Sequence, residues 1–241
     1  MPFQDDRLLL RTDKLLWSFR MPLILLMLAP VGLFIDIPVA RFFKQVPCPG
    51  LIVELLDRAE PFGHFFGAAI TLIAVVLLDP AMKCRIGWAI GATLGGGAVA
   101  NLVKVLVIRS RPRASNLIDG TAWDTFGGWL QRSTSSSHQS FPSGHTATVV
   151  GLAVILAAWY PRGRWLFATI AVLVGTHRIQ HLAHFPSDVF VGAAAGWFVA
   201  ACCIRGDGRR LASGALDTET SSDGEPEKYR STGDQDETIA D

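Results

Sequence analysis

Six apolar runs, at about residues 21–40, 62–78, 86–108, 146–160, 165–175 and 189–204, leave this chain of 241 residues few ways to fold. A surface helix of a water-soluble protein carries its apolar residues on one stripe, whereas these runs are apolar all round. Such helices belong in a bilayer, where ~17–25 residues cross the hydrocarbon. Several runs sit near the short end of that range. The fifth counts only if its helix continues past Arg178, which places that arginine inside the bundle or at its mouth. The pattern predicts an all-α polytopic membrane protein, a bundle of six transmembrane helices over 21–204. A polar segment, 1–20, precedes it and an acidic segment, 205–241, follows it.

The flanking segments set the expected orientation. The first apolar run resembles a signal peptide in length, but cleavage before Arg41 would put Pro38 where a small residue is wanted, and the leader carries Asp5, Asp6 and Asp13. A retained first helix is the expectation. Basic residues beside the helices (the N-terminal segment, Lys83, Arg85, Arg162, Arg164, Arg205, Arg209 and Arg210) fall on one side. The positive-inside rule makes that side cytoplasmic, with both termini there. Arg41, Lys44, Arg58, Arg109 and Arg113 fall on the other side, so the bias is clear only once Lys104, Arg111 and Arg178 are set apart as functional. Residues 205–241 are rich in Ser, Thr, Gly, Asp and Glu and are expected to be disordered. Net charge is +1, and no basic block with interleaved aromatics suggests nucleic acid. The cysteines, Cys48, Cys84, Cys202 and Cys203, lack metal or redox spacing and are expected to behave as small apolar residues.

Two further features concern packing and the surface. Gly91, Gly95, Gly96 and Gly97 in the third run predict close helix–helix approach, since small residues let backbones meet. The long polar connection 109–141 holds Trp123, Phe126 and Trp129. Those rings are expected either in an ordinary surface loop or dipping into the headgroup layer.

Against this apolar background three motifs stand out: Lys104-x6-Arg111-Pro112, Pro142-Ser143-Gly144-His145, and Arg178-x5-His184-x3-Asp188. Cations in apolar segments are costly and mark functional sites. Lys104 and Arg111 are two helical turns apart, so a helix stopped by Pro112 would put both on one face, where they repel unless an anion sits between them. Snorkelling to the interface is the alternative for this pair. Pro142 is expected in the first turn of the fourth helix, with the Ser143, Gly144 and His145 amides at its positive end, an arrangement that binds phosphate. Asp188, one turn after His184, could accept from one ring nitrogen and leave the other free to attack. Arg178 could clamp phosphate oxygens in a bidentate fork. A metal set of His177, His181, His184 and Asp188 fits by spacing, but Pro186 interrupts it and three nearby cations oppose a divalent ion. His177 and His181 are expected to be supporting residues, and His64 and His138 carry no signal.

Together, in order, these motifs resemble the type 2 phosphatidic acid phosphatase (PAP2) superfamily, which shares its site with the vanadium haloperoxidases. The resemblance covers about residues 60–204. It implies a six-helix membrane phosphatase of a lipid phosphate or lipid pyrophosphate, working without metal or cofactor. It further implies His184 as nucleophile, Asp188 as its orienting partner and His145 as acid and base. Lys104, Arg111, Arg178, Ser143 and Gly144 would hold the phosphate. The residues alone leave open which histidine attacks. The chain departs from the family pattern at His177, where Ser normally precedes the motif arginine. The expected place is a bacterial inner membrane, site on the extracytoplasmic face, with the lipid bilayer and a lipid phosphate as partners and no nucleic acid. A phosphotransferase of the same fold and a non-catalytic lipid-binding protein are the alternatives.

Overall fold

The computed structural model describes residues 5–129 and 135–222, with side chains from 19–128 and 135–211. Contacts divide the chain into a unit of residues 1–207 and a unit of residues 208–241, whose described part, 208–222, is helix. Seven α-helices follow in order: α1 (Asp5–Gln45), α2 (Gly50–Ala59), α3 (Phe65–Leu78), α4 (Ile86–Leu106), α5 (Gly144–Trp159), α6 (Arg164–Gln180) and α7 (Pro186–Ser222). A two-stranded antiparallel ribbon, β1 (Val107–Arg109) with β2 (Phe126–Trp129), lies between α4 and α5.

Size of side chain is distributed inside out relative to a water-soluble protein. The interior joining α3, α4, α5 and α7 is built largely from Ala68, Ala89, Ala92, Ala200, Leu152 and Ile155. Large apolar residues face outward: Phe34 is 84% exposed, Leu78 86% and Phe66 78%. Water would not favour that surface, whereas lipid does, and small residues inside are what lets helices associate in a bilayer. The glycines of α4 act as expected. A methyl group on Gly96 would stand 2.8 Å from the Ala147 carbonyl oxygen and 3.0 Å from Gly196 Cα, so α4, α5 and α7 meet backbone to backbone there.

The expected count of six spanning helices is not reproduced. Among the described residues three stretches are long and apolar enough to cross a membrane: Phe19–Gln45, Ile86–Leu106 and Pro186–Leu211. A fourth exists if Gly50–Gly63 and Phe65–Leu78, bent by 73°, make one broken span. α5 is apolar but has 16 residues, and at 1.5 Å per residue it reaches only about 24 Å of a core roughly 30 Å thick. α2 was not anticipated, because Glu54, Asp57 and Arg58 interrupt its apolar pattern. α6 does continue through Arg178, as the fifth run required.

Two boundaries differ from expectation. α4 ends at Leu106, so Lys104 and Arg111 do not share a helix; the β-branched Val107 and Ile108 leave it to pair with β2. Helix also persists beyond residue 205, because Asp207 is buried and holds Arg85 (2.5 Å) and Trp159 Nε1 (3.3 Å). Residues 223–241 of the expected disordered segment lie outside the described residues. In the 109–141 connection Trp123 is 70% exposed, but Phe126 turns inward over the Arg109 guanidinium at 4.5 Å. The Trp129 side chain lies outside those described.

Candidate active site

His184 sits in the tight turn between α6 and α7. Leu182 takes a left-handed conformation there (φ 51°), which lets the amides of Ala183 and His184 both donate to the Arg178 carbonyl at 3.1 Å. That conformation costs a branched residue about 1–2 kcal/mol, offset by the Arg113 amide on the Leu182 carbonyl and by packing against Ile37, Leu117 and Phe185. The turn thereby ties Arg178 to His184.

The His184 ring is buried, and its Nδ1 lies 2.6 Å from the Ser140 carbonyl oxygen. A carbonyl can only accept, so in the neutral ring Nδ1 carries the proton and Nε2 keeps its lone pair. This corrects the expected role of Asp188. Its Oδ2 is 3.8 Å from His184 Nδ1, an ion-pair separation rather than a hydrogen bond. Asp188 instead accepts from Ser140 Oγ (2.6 Å) and the Phe185 amide (2.9 Å), so it orients His184 through Ser140. Burial pushes the His184 imidazole below its usual range; Asp188 opposes this, and Lys104 and Arg178 add to it.

Behind Asp188 lies a centre that sequence reasoning missed. Arg109 is wholly buried, pairing with Asp188 and, at 2.6 Å, with Asp36 of α1. It also donates to Ser187 Oγ (2.7 Å) and Thr125 Oγ1 (2.9 Å), between the rings of Phe126 and Phe185. Asp36 accepts from the Ser187 amide and hydroxyl, anchoring the start of α7. A carboxylate inside the first apolar run is the signal that could have found this centre.

The motif cations converge by a different route than predicted. Lys104 ends α4, Arg111 follows β1 in extended backbone, and Arg178 ends α6. A methyl group on Gly144 would stand 3.5 Å from Lys104 Nζ, which puts that ammonium at the start of α5. Among the described residues no carboxylate lies within ion-pair distance of Lys104 or Arg111, and the buried Nε atoms of Arg111 and Arg178 lack a partner. Burial depresses the Arg111 pKa, as do Arg113 and Arg178 nearby, without removing its charge. The site therefore holds unneutralised positive charge and unpaired donors, which suits a multiply charged anion.

Pro142 precedes α5 rather than opening it, and Ser143 is the N-cap. Its hydroxyl oxygen accepts from the Thr146 amide and hydroxyl, which leaves its own proton free to donate, whereas its amide is committed to the Asp188 carbonyl at 3.0 Å. This contact needs Gly192, where a methyl group would lie 2.4 Å from the Ser143 carbonyl oxygen.

His145 Nε2 lies 3.2 Å from His64 Nε2 and 3.7 Å from Glu60 Oε1, and Glu60 pairs with both His64 (2.6 Å) and Arg178 (3.2 Å). His64, thought to be without signal, therefore touches the second motif histidine. The four-residue metal set weighed above is not assembled, since His184 faces Ser140. His177 and His181 both reach Asp57 instead. Two groups, Asp57–His177–His181 and Glu60–His64–His145, have ligand atoms mutually within 4.8 Å.

The PAP2 superfamily profile matches residues 85–211. A lipid A 1-phosphatase of Rhizobium etli is 36% identical over 103 residues, 42% of this chain and 42% of the relative. The chain thus spans about two-fifths of the length of that curated relative. The crystal structure of Aquifex aeolicus LpxE superposes with a TM-score of 0.54 at 20% identity, covering 71% of this chain and 95% of that one. The PAP2-type phosphatidylglycerolphosphate phosphatase of Bacillus subtilis gives 0.56 at 17% identity, covering 80% and 96%. These two likenesses show the fold.

Proposed function

Because the chain belongs to the PAP2 superfamily, we propose that it is an integral-membrane phosphatase that removes a phosphomonoester or pyrophosphate group from a lipid through a phosphohistidine on His184. The observation that carries this is the Ser140 carbonyl on His184 Nδ1, which leaves Nε2 unprotonated at a site held by Lys104, Arg111 and Arg178. Nε2 attacks phosphorus and the bond to the lipid oxygen breaks, with His145 giving that oxygen a proton. Water then attacks the phosphorus of the phosphohistidine; His145 takes its proton, the P–N bond breaks, and phosphate leaves. The three cations, with the Gly144 and His145 amides, stabilise the charge on the equatorial oxygens, so the chemistry calls for no metal. Asp188 keeps Ser140, and through it His184, in place.

The site lies at the outer face of the bundle, with cytoplasmic termini, because that orientation leaves Lys83, Arg85, Arg162, Arg164 and Arg205 inside. The name of the Rhizobium relative supports a lipid phosphate of the lipid A 1-phosphate kind. Purified full-length protein in detergent, given phosphatidic acid, phosphatidylglycerol phosphate, a polyprenyl pyrophosphate, lipid A and soluble sugar phosphates, all with EDTA, tests this. Phosphate release from a lipid, faster than from any sugar phosphate, is expected. No release from any lipid would overturn the function, and loss of release on adding EDTA to an EDTA-free assay, with Tm unchanged, would overturn the metal-free chemistry.

A further inference from the structure

We propose that Asp57, His177 and His181 form a binding site for a borderline transition-metal dication of the Zn²⁺ class, joining α2 to α6 beside the phosphate site. His177 and His181 are one turn apart at the end of α6, with ring centroids 4.3 Å apart. Both Nε2 atoms lie 3.2 Å from the same oxygen, Oδ1 of Asp57. Tetrahedral coordination with bonds of ~2.0–2.1 Å sets neighbouring ligand atoms about 3.3–3.4 Å apart. Two of the three ligand edges therefore already have the length that a bound ion requires, and the third is within 4.8 Å.

The chemistry of the donors fits as well. Two imidazoles and one carboxylate are a set that zinc accepts with a position left open. Asp57 and His181 are each about half exposed, so water can supply the remaining ligand and the ion can enter from solvent. His177 is buried, and Nε2 is its partnered nitrogen; Nδ1 has none, so the ring is held from the Asp57 side. Repulsion by neighbouring arginines is blunted, because Arg178 is paired with Glu60 and Arg58 with Glu54, and neither neutralises Asp57. The ion would act as a staple: α2 leads directly into Glu60, whose carboxylate holds Arg178. Its role is order and stability, and none of the phosphoryl chemistry above passes through it.

Metal-stripped full-length protein in detergent can be titrated with Co²⁺, read by its visible d–d bands, and with Zn²⁺, read by calorimetry and thermal unfolding. Saturable, stoichiometric binding with a tetrahedral Co²⁺ spectrum and a rise in Tm with Zn²⁺ are expected. Asp57→Asn, His177→Ser and His181→Ala should each weaken binding by about tenfold or more, while His64→Ala, in the neighbouring cluster, should leave it unchanged. His181 is half exposed, so His181→Ala serves as the fold-neutral variant, its metal-free Tm matching that of the parent. The site is overturned if the parent protein shows no saturable Co²⁺ binding. It is equally overturned if binding survives both Asp57→Asn and His181→Ala, or is lost in His64→Ala.

Discussion

Arg109 and Arg111 are two residues apart and live in opposite electrostatic worlds. Arg109 is fully buried and saturated by two carboxylates, two hydroxyls and two aromatic faces. Arg111, with Lys104 beyond it, has no carboxylate partner among the described residues and leaves a buried Nε–H unpaired. A buried charge must be neutralised to exist at all, which Asp36 and Asp188 do for Arg109. Charge left without a counter-ion inside a protein needs a ligand to complete it. The pair thus sets a saturated arginine against an unpaired one proposed to bind the substrate anion, and Asp188 joins the two regions by touching Arg109 on one side and Ser140, hence His184, on the other.

The comparison breaks most readily at the saturated centre. Arg109→Met leaves Asp36 and Asp188 buried without their cation, and such losses cost about 3–5 kcal/mol. Thermal unfolding in detergent should show a large fall in Tm or no folded protein; an unchanged Tm would mean that Arg109 is not the structural member. Arg111→Ala should do the opposite. Tm should hold or rise as repulsion with Arg113 and Arg178 is relieved, while kcat/KM for the lipid phosphate falls about 10²–10³-fold, as when one transition-state donor is removed.

Ser140→Ala gives a finer cut, since it keeps the carbonyl on His184 but leaves Asp188 Oδ2 with the Phe185 amide and without the Ser140 hydroxyl. A loss of about tenfold in kcat with little change in KM is expected, of the order of one hydrogen bond to a charged group at ~1.5–3 kcal/mol or less. A rise in KM alone would place Ser140 in substrate binding instead. The smallest effect is in pH. A lowered pKa means that His184 releases its proton at lower pH than a free imidazole, so the neutral nucleophile persists below the usual value of about 6.5. The acidic limb of kcat/KM should therefore fall below that pH, and a limb above it would contradict the buried, cation-flanked setting of the ring.

What the sequence disclosed follows the same division. Lys104, His145, Arg178, His184 and Asp188 stood out as candidates because a charged or titratable group in or beside an apolar run is costly there, and the fold brings them together. Arg109 was not separable from Arg113 as an ordinary loop cation, because its partner Asp36 lies 73 residues away along the chain. Glu60 and Asp57 were hidden for the same reason: Asp57 sits on the short α2 and Glu60 just past its end, and they meet His177, His181 and Arg178 only through α2 and α6 packing. Ser143 shows the converse limit. Its motif position did not reveal that its hydroxyl oxygen caps α5 and that its amide is bound to the Asp188 carbonyl. The short runs were visible in the sequence, but the 73° bend between Gly50–Gly63 and Phe65–Leu78 was not, because hydropathy carries no direction.

The central claim is that His184 attacks phosphorus from a lone pair fixed by the Ser140 carbonyl. Its most direct test is a rapid alkaline quench of the enzyme turning over a lipid phosphate, followed by peptide mass spectrometry. A phosphoryl group on His184, absent from His184→Ala, which should also lose turnover by several orders of magnitude, is the predicted result. Turnover with no phosphoenzyme, or an adduct on His145 or any other residue, would contradict it.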